Sequence, residues 1–337
     1  MVTIKDVARD AGVSVGTVSN VLNGGRVSEA RRKLVEASIE KLGYQVNTLA
    51  KGMRMQKTDY VVVILPNLIN PYFALLLDAL ESELSAVGKQ VLLCLSGDDA
   101  EREVAFMDMA KQNKVDGIIG VTYSKVEEER IENMAFVSID RHYKSHIPCV
   151  AGDNWQGGWL AAENLHKRGS TNLLCFMTMS SVDSEVRKRR VGFTEYCMEH
   201  DLSCNSVEMS EKQIVSVYES YGSRKLIHNM LRAYISPSLG EHSIDGIFTS
   251  SDHLATIVRE ELEEMGKQVP EDIQIIGYDG LQFLNQGKPI VSSIAQPVHE
   301  IAKEAVRCLN ELIANGKTEG NTKIPVSFRR DRQRKRL

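Results

Sequence analysis

Charged side chains follow three apolar runs of this chain at the point where each run ends. Asp140 and Arg141 come after FVSI, Asp252 after GIFTSS, and Asp279 closes IQIIGYD. Carboxylates accept hydrogen bonds from hydroxyl groups, and an arginine such as Arg189 donates two parallel bonds. Groups of this kind, with an aromatic side chain under the ring, recognise a polyhydroxylated small molecule. The residues that we expect to bind such a ligand are Asn70, Tyr72, Phe73, Asp140, Arg141, Arg189, Asp252 and Asp279.

Individual members of this set have simpler explanations. Phe73 suits an apolar core as well as a ligand contact, and Asp279 in Gly-Tyr-Asp-Gly could cap a turn. The charges that flank Arg189 are typical of a solvated helix face. The constellation indicates a ligand site more strongly than any single residue does.

A second kind of chemistry is present near the N-terminus. Val15, Gly16 and Asn20 share a helical face that no apolar stripe claims. Asn pairs bidentately with the edge of adenine, and an apolar side chain such as Val15 can contact the thymine methyl group. This face therefore suits the major groove of duplex DNA.

Short helices must position that face. Ile4, Val7, Ala8 and Ala11 recur at helical spacing, and Gly12 can end this first helix with a positive φ. Ser14 can cap a second helix whose buried stripe is Val18, Val21 and Leu22, and a third helix runs from a Ser28 cap to Gly43. Two helices joined by a tight turn are typical of a helix-turn-helix, although ordinary helical hairpins share this pattern.

The amino-acid sequence of this segment is more specific for DNA binding than its helical periodicity. The run IKDVARDAGVS, then TVS and VLN, Val27-Ser28, Gly43-Tyr44 and Asn47 resembles the headpiece of the LacI/GalR family of bacterial repressors. The resemblance implies that residues 47–57 form a hinge helix on operator DNA and insert an apolar residue into the minor groove. That residue is Met53 here, where the family usually has leucine. The expected DNA contacts are Thr3, Ser14, Val15, Gly16, Thr17, Ser19, Asn20, Asn23, Tyr44, Asn47, Ala50, Met53 and Arg54.

From Tyr60 onward the pattern changes to apolar β-branched runs that alternate with helical stretches. The first run, YVVVILP, is typical of a strand buried on both faces, and the alternation predicts parallel sheets covered by helices. Two such series in tandem predict two doubly wound lobes with a cleft at the carboxyl ends of the strands. Further landmarks that resemble the family are Asn70-Pro71-Tyr72-Phe73, Val115-Asp116-Gly117, Asp153-Asn154, Gly277-Tyr278-Asp279 and Gln296-Pro297.

The sequence therefore predicts an α/β protein with a three-helix, helix-turn-helix headpiece and a two-lobed, doubly wound body. The resemblance implies that this body is like a periplasmic binding protein. We expect a headpiece at 1–46, a hinge at 47–57, a body at 58–329 and a basic tail at 330–337. We place the first lobe at about 58–140 and 297–316, and the second at about 147–290 and 320–329.

Charge and composition agree with this division. Residues 1–57 contain ten Lys and Arg against five Asp and Glu, whereas the whole chain has a net charge of −4. A basic head on an acidic body is typical of a protein that contacts phosphates at one end. The N-terminus lacks the apolar core of a signal peptide, so we expect a cytoplasmic protein that does not interact with membranes. The six cysteines are scattered, and we expect no cofactor and no metal site.

We interpret the chain as a homodimeric regulator that binds palindromic double-stranded operator DNA and is controlled by a small, sugar-like effector. It is expected to repress a carbohydrate-utilisation operon. The alternative is a regulator of the same fold that a protein partner controls. An enzyme is disfavoured, because the sequence has no phosphate loop, nucleophile elbow or pair of histidines at metal spacing.

Overall fold

The computed structural model of the chain describes residues 2–22, 24–44, 58–125, 131, 134–143, 147–179, 182–235, 243–281, 291–318 and 320–331. The chain divides into two compact units, Met1–Thr58 and Asp59–Leu337. The predicted hinge at 47–57 and most of the predicted tail, 332–337, lie outside the described residues.

The first unit contains three helices, which are α1 (Ile4–Asp10), α2 (Val15–Leu22) and α3 (Glu29–Leu42). A capping box begins α1, since the Asp6 amide donates to the Thr3 hydroxyl and the Asp6 carboxylate accepts from the Thr3 amide. Gly12 follows α1 with a φ of +64°, which makes the turn into α2 possible without steric cost. Ser28 occupies the N-cap of α3, but its side chain makes no capping hydrogen bond, so that part of the prediction was wrong.

Apolar side chains from all three helices meet in a small core. This core is formed by Val7, Ala8, Ala11, Val18, Val21 and Val35. Half-buried residues, among them Leu22, Ile39 and Tyr44, pack around it. Because α2 turns Val18 and Val21 inward, its opposite face stays on the surface.

The first lobe of the second unit is built on a sheet whose neighbouring strands are all parallel. The strand order among the described residues is β11-β5-β4-β3-β1-β2. The strands are β1 (Tyr60–Leu65), β2 (Gln90–Leu95), β3 (Gly117–Gly120), β4 (Phe136–Ile139), β5 (Cys149–Gly152) and β11 (Thr322–Ile324). Helices α4 (Pro71–Ala86), α5 (Ala100–Gln112) and α11 (Val298–Asn315) belong to this lobe.

The second lobe repeats this plan with the order β12-β10-β9-β8-β6-β7, in which β12 is antiparallel to β10. Its strands are β6 (Asn172–Met179), β7 (Ser203–Ser210), β8 (Gly246–Thr249), β9 (Gln274–Asp279), β10 (Ser292–Ala295) and β12 (Ser327–Arg329). Its helices are α6 (Asn154–Lys167), α7 (Lys188–Glu199), α8 (Glu211–Glu219), α9 (Lys225–Ile235) and α10 (Asp252–Glu264).

The two sheets have equivalent strand orders. Numbered from the start of each lobe, the first five strands take the order 2-1-3-4-5 in both, so β4 of the first lobe corresponds to β9 of the second. In sheets of this kind ligands bind beyond the carboxyl ends of the strands. The carboxyl ends of β4 and β9 are therefore placed at equivalent positions of a ligand cleft.

Two of the predicted lobe boundaries were wrong. We expected residues from about 147 and the segment 320–329 in the second lobe, but β5 pairs with β4, and β11 pairs with β5, in the first sheet; of the segment 320–329, β12 pairs with β10 in the second sheet. An apolar run reveals a buried strand without revealing which sheet accepts it. The chain therefore leaves the first lobe only after Gly152, re-enters it at α11, stays there through β11 and returns to the second lobe for β12.

The predicted basic tail also begins later than expected. The Asp331 amide donates to the Ser292 hydroxyl at 3.4 Å, and that hydroxyl donates to the Asp331 carboxylate. The folded body consequently extends at least to Asp331. Within the described part of the chain, no helix is both long and apolar enough to span a bilayer.

Candidate functional site

Helix α2 offers a free face in the first unit. Val15, Gly16 and Asn20 are exposed, while Val18 and Val21 on the opposite side are buried. The Thr17 amide donates to the Ser14 hydroxyl at 3.2 Å, so Ser14 caps α2 as its sequence position predicts. Val15 and Asn20, which are expected to contact bases, are thus accessible together with Gly16 on one helix.

Other predicted DNA contacts already have partners inside the first unit. The Thr3 hydroxyl donates to Asp6 Oδ2 at 2.6 Å, and the Ser14 and Thr17 hydroxyls lie 3.0 Å apart. Ser19 is half-buried, and Tyr44 packs against the core of this unit. Five predicted contacts, Asn23, Asn47, Ala50, Met53 and Arg54, lie outside the described residues.

A cavity lies between the carboxyl ends of the two sheets of the second unit. Six of the eight predicted ligand contacts line it, namely Asn70, Tyr72, Phe73, Asp140, Arg189 and Asp279. The lining also includes Asn67, Tyr123, Thr178, Ser184, Val186, Arg187, Ile214, Val215, Tyr218, Ser250, Ser251 and Gln296. Both lobes therefore contribute residues to one site, in which polar side chains are combined with apolar surface.

Arg189 is fixed at the back of this cavity. Its Nε donates to Asn154 Oδ1 at 2.6 Å, its Nη1 donates to the Ser250 carbonyl at 2.8 Å, and its guanidinium lies 3.6 Å from the centre of the Tyr278 ring. It is 4% exposed, yet nearby Tyr278, Asp279 and Asp140 raise its pKa above the usual value, against the effect of burial. Two of its donor groups are therefore committed to the protein.

Close packing of α6 on α7 brings Arg189 to this place. A Cβ atom on Gly158 of α6 would lie 1.8 Å from the Arg189 carbonyl oxygen, and one on Gly192 of α7 would lie 2.0 Å from the Trp155 carbonyl oxygen. No real contact is that short, so only glycine allows the helices to approach this closely. The glycine three residues after Arg189, in the run RRVGF at 189–193, thus has a packing reason.

Asp140 and Asp279 occupy the equivalent strand ends identified above. Both have positive φ values, 60° and 113°, which are uncommon for residues other than glycine and are often found at functional sites. Burial raises the pKa of Asp140 to about 6 and that of Asp279 to about 7, although Arg189 lowers both. Each of the two carboxyl groups can therefore gain or lose a proton near neutral pH.

Several buried polar atoms of the cavity lining have no hydrogen-bond partner within the described structure. They are Tyr72 Oη, Ser184 Oγ, Asp279 Oδ2 and Gln296 Oε1. Buried polar groups in proteins are nearly always hydrogen-bonded, so such a cluster indicates a site that pairs with a ligand or with water. Two hydroxyls and two acceptor oxygens match the donors and acceptors of a polyhydroxylated molecule.

Arg141 and Asp252 are not among the described residues that line the cavity, so the structure does not support these two predictions. The Arg141 guanidinium donates to the Ser124 carbonyl at 2.6 Å and to the Thr122 hydroxyl at 3.2 Å, within the first lobe. Asp252 Oδ2 accepts from the Leu281 amide at 2.7 Å. Asp252 thereby fixes the turn after Asp279 from a position outside the cavity lining.

The sequence reasoning missed two groups of lining residues. Ser250 and Gln296 directly follow β8 and β10, and Tyr123 lies three residues after the end of β3, so the same strand-end argument could have found them. Ile214, Val215 and Tyr218 instead lie on α8, on the second-lobe side of the cavity. Nothing in the strand pattern indicates that α8 reaches the cleft.

Comparisons with known proteins match both units. Residues 3–47 match the family described as bacterial regulatory proteins, lacI family, and residues 162–330 match the periplasmic binding protein-like domain. The sucrose operon repressor of Pediococcus pentosaceus is 32% identical over 329 residues, covering 96% of this chain and 97% of that protein. The ribose operon repressor of Halalkalibacterium halodurans is 32% identical over 311 residues, covering 92% of this chain and 89% of that protein.

A solved structure shares the whole fold. The Lac repressor dimer bound to operator and the anti-inducer ONPF aligns with a TM-score of 0.80 over 98% of both chains, at 22% identity. Together the matches confirm the predicted resemblance and the predicted fold class.

Proposed function

The chain belongs to the LacI family of bacterial regulatory proteins, and we propose that it represses a carbohydrate-utilisation operon under the control of a sugar bound in the cleft. The observation that carries the proposal is the pairing, in one chain, of a free α2 face with a cavity lined by unpartnered polar atoms. The names of the sucrose and ribose operon repressors support the same ligand class.

Specific DNA binding would follow from the exposed side chains of α2. Asn20 would read an adenine edge, and Val15 would contact a thymine methyl group. One headpiece reads only a short half-site, so a homodimer would read a palindrome. The basic head would make this binding strongly dependent on salt, because phosphate contacts release counterions.

The segment 47–57 belongs to the same proposal through family resemblance. It would become helical on the operator and place Met53 in the minor groove, since a helix that contains Gly52 and is this short does not persist alone in water. Met53→Ala should then weaken specific binding while leaving non-specific affinity unchanged. A catalytic role forms no part of the proposal, and the protein would act in the cytoplasm, where the operon lies.

Ligand control would run through differential affinity. A sugar that bridges Asp140 of one lobe and Asp279 of the other would favour one arrangement of the lobes. It would change the affinity for DNA only to the extent that it binds the two arrangements with different affinities. The bound sugar would provide partners for the unpartnered atoms of the cavity lining.

The test begins with a palindromic site that the protein itself selects from random duplex DNA. Affinity is measured by fluorescence anisotropy, with and without sucrose, D-ribose, D-fructose or D-glucose. Asn20→Ala should cost about 1–3 kcal/mol and relax preference at one position in each half-site. Asn113→Ala, a change at an exposed asparagine of the second unit, is the matched control and should leave affinity unchanged.

Asp279→Ala should keep operator affinity but lose the response to the active sugar. A set of sugars that leaves wild-type operator affinity unchanged, together with a response to a phosphorylated carrier protein, would replace this proposal with control by a protein partner.

A further inference from the structure

Glu185 is a buried carboxylate at the junction of the two lobes. Its side chain is 1% exposed and lies in a short 3₁₀ turn, Glu185–Arg187, between β6 and α7. Glu185 Oε1 pairs with His142 Nε2 and with Lys188 Nζ, and Oε2 lies 3.9 Å from Lys323 Nζ. These partners come from the segment after β4, from α7 and from β11 respectively.

The partners make this cluster a connection between lobes. His142 follows a strand of the first sheet, and Lys323 lies in β11 of that sheet, whereas Glu185 and Lys188 belong to the second lobe. Removing an ionised carboxylate from water is costly unless opposite charges and hydrogen bonds compensate. Separating the lobes here would leave Glu185 without its two first-lobe partners.

The main chain of the same segment contacts the ligand cavity. The Glu185 amide donates to the Asp140 carbonyl at 2.8 Å, and the neighbouring residues Arg141 and Ser184 form an antiparallel bridge. Asp140 has the positive φ of 60° described above. A residue in such a conformation keeps it only when its surroundings hold it there.

We propose that Glu185 is a positioning residue of the effector site, which holds Asp140 in its ligand-facing conformation because His142 and Lys323 hold the Glu185 carboxylate. The inference rests on the proposed function only in assigning Asp140 to the ligand. The charge cluster fixes the 184–185 segment against the first lobe, and the Glu185 amide transmits that fixation to Asp140. Glu185 itself does not contact the ligand.

Glu185→Gln tests this role, since it keeps the shape of the side chain and the amide but removes the charge. The first measurement is hydrogen exchange of the Glu185 amide in the full-length protein without ligand. We expect protection of this amide to fall about tenfold. The matched control is Glu208→Gln, which breaks an ion pair with Arg190 at 3.0 Å within the second lobe, and protection should stay at the wild-type level.

The second measurement is affinity for the probe sugars sucrose and D-ribose. Whichever of them binds the wild-type protein should bind Glu185→Gln about tenfold more weakly and Glu208→Gln equally well. If neither sugar binds wild type, the proposed function fails in its choice of effector, and the exchange measurement alone decides about Glu185.

A conservative change at His142 separates positioning from general stabilisation. His142→Gln places an amide donor near the position of Nε2 and should retain most of the protection, whereas His142→Leu should lose it. Lys323→Met, at a half-exposed side chain, gives a second variant should Glu185→Gln fail to fold, and it should also reduce protection. The proposal is overturned if the main-chain amide of residue 185 keeps wild-type protection in Glu185→Gln. Where that variant does not fold, the same result in Lys323→Met overturns it. Equal protection in the two His142 variants also overturns it.

Discussion

Asp140 and Asp279 stand at the same point of two equivalent sheets, yet the protein holds them differently. Asp140 directly follows the fourth strand of the first lobe, Asp279 closes the fourth strand of the second, and both line the cavity with a positive φ. Asp279 Oδ1 accepts from Gln296 Nε2 at 2.9 Å, and Gln296 directly follows the neighbouring strand β10. Asp140 accepts from Asn154 and Glu185, which belong to the other lobe.

This difference assigns distinct roles to two similar carboxylates. The contacts of Asp279 remain when the lobes move, because its partners move with it. The Asp140 amide donates to the Val150 carbonyl within the first lobe at 3.2 Å, but the hydrogen bonds that Asp140 accepts depend on the approach of the second lobe. A ligand that binds both carboxylates would therefore find Asp279 already positioned, whereas its hold on Asp140 would depend on the arrangement of the lobes.

The largest expected effect comes from disturbing the arginine that both carboxylates face. Gly158→Ala would place a Cβ atom 1.8 Å from the Arg189 carbonyl, so α6 and α7 must separate and Arg189 must move. We expect a loss of about 4–5 kcal/mol in the free energy of unfolding, or failure to fold. Gly222→Ala is the control, since its Cβ atom would meet no heavy atom closer than 3.7 Å. Equal urea midpoints for the two variants would contradict the packing argument.

Asp279→Asn should stabilise the protein at neutral and higher pH. Burial raises the pKa of Asp279 to about 7, whereas the carboxyl of an unfolded chain titrates near 4. Between these values the folded state keeps a proton that the unfolded state has lost, so stability falls as pH rises. Three pKa units correspond to about 4 kcal/mol. Asp279→Asn should therefore raise the free energy of unfolding by this amount at pH 8 and leave it unchanged at pH 4.

Urea unfolding of Asp279→Asn and wild type across this range measures the difference. Asp78→Asn, at an exposed carboxylate of α4, is the control, because it makes the same chemical change away from the cavity. A difference between Asp279→Asn and wild type that does not change with pH would show that titration is not its origin. The stabilised variant should also bind its sugar more weakly, as often happens when a functional site is relieved of a buried charge.

Asp140→Asn should show the same effect over a narrower range. Burial raises the pKa of Asp140 to about 6, so the stabilisation should grow between pH 4 and 6 and then remain constant at about 3 kcal/mol. The same urea series measures it. Continued growth above pH 7 would mean that the two carboxyl groups titrate as one coupled pair.

The strand-end argument from sequence found both aspartates, because a polar residue that closes a buried apolar run must lie at a sheet edge. It failed for Arg141 and Asp252, since a position near a strand end does not determine where the side chain points. Arg141 turns to the Ser124 carbonyl, and Asp252 turns to the Leu281 amide.

The sequence also could not predict the connection through Glu185. His142 and Lys323 lie far from Glu185 in the sequence, and only the folded chain brings them to its carboxylate, whereas Lys188 is three residues away. The headpiece was easier to predict because its contacts are local in sequence. The Ser14 cap, the helix stripes and the Gly12 turn are encoded within a few residues of where they act, although the predicted Ser28 side-chain cap does not form.

The smallest effect is expected from removing the support of Asp279 within its own lobe. Gln296→Leu deletes the hydrogen bond from the side-chain Nε2 to Asp279 Oδ1. The main-chain N–H of residue 296, which donates to the Asp279 carbonyl at 3.3 Å, remains. A hydrogen bond to a charged group contributes about 1.5–3 kcal/mol, and one to a neutral group about 0.5–1.5 kcal/mol. Since Asp279 is mainly ionised at pH 8 and mainly protonated at pH 5, the cost of Gln296→Leu should be larger at pH 8. Gln274→Leu is a matched control at the other end of β9, where Nε2 donates at 3.0 Å to the neutral Arg168 carbonyl, so its cost should not vary with pH. Urea unfolding at both pH values distinguishes the two variants. If Gln296→Leu also has the same cost at pH 5 and pH 8, Asp279 does not change its charge in this range, and its difference from Asp140 lies in geometry alone.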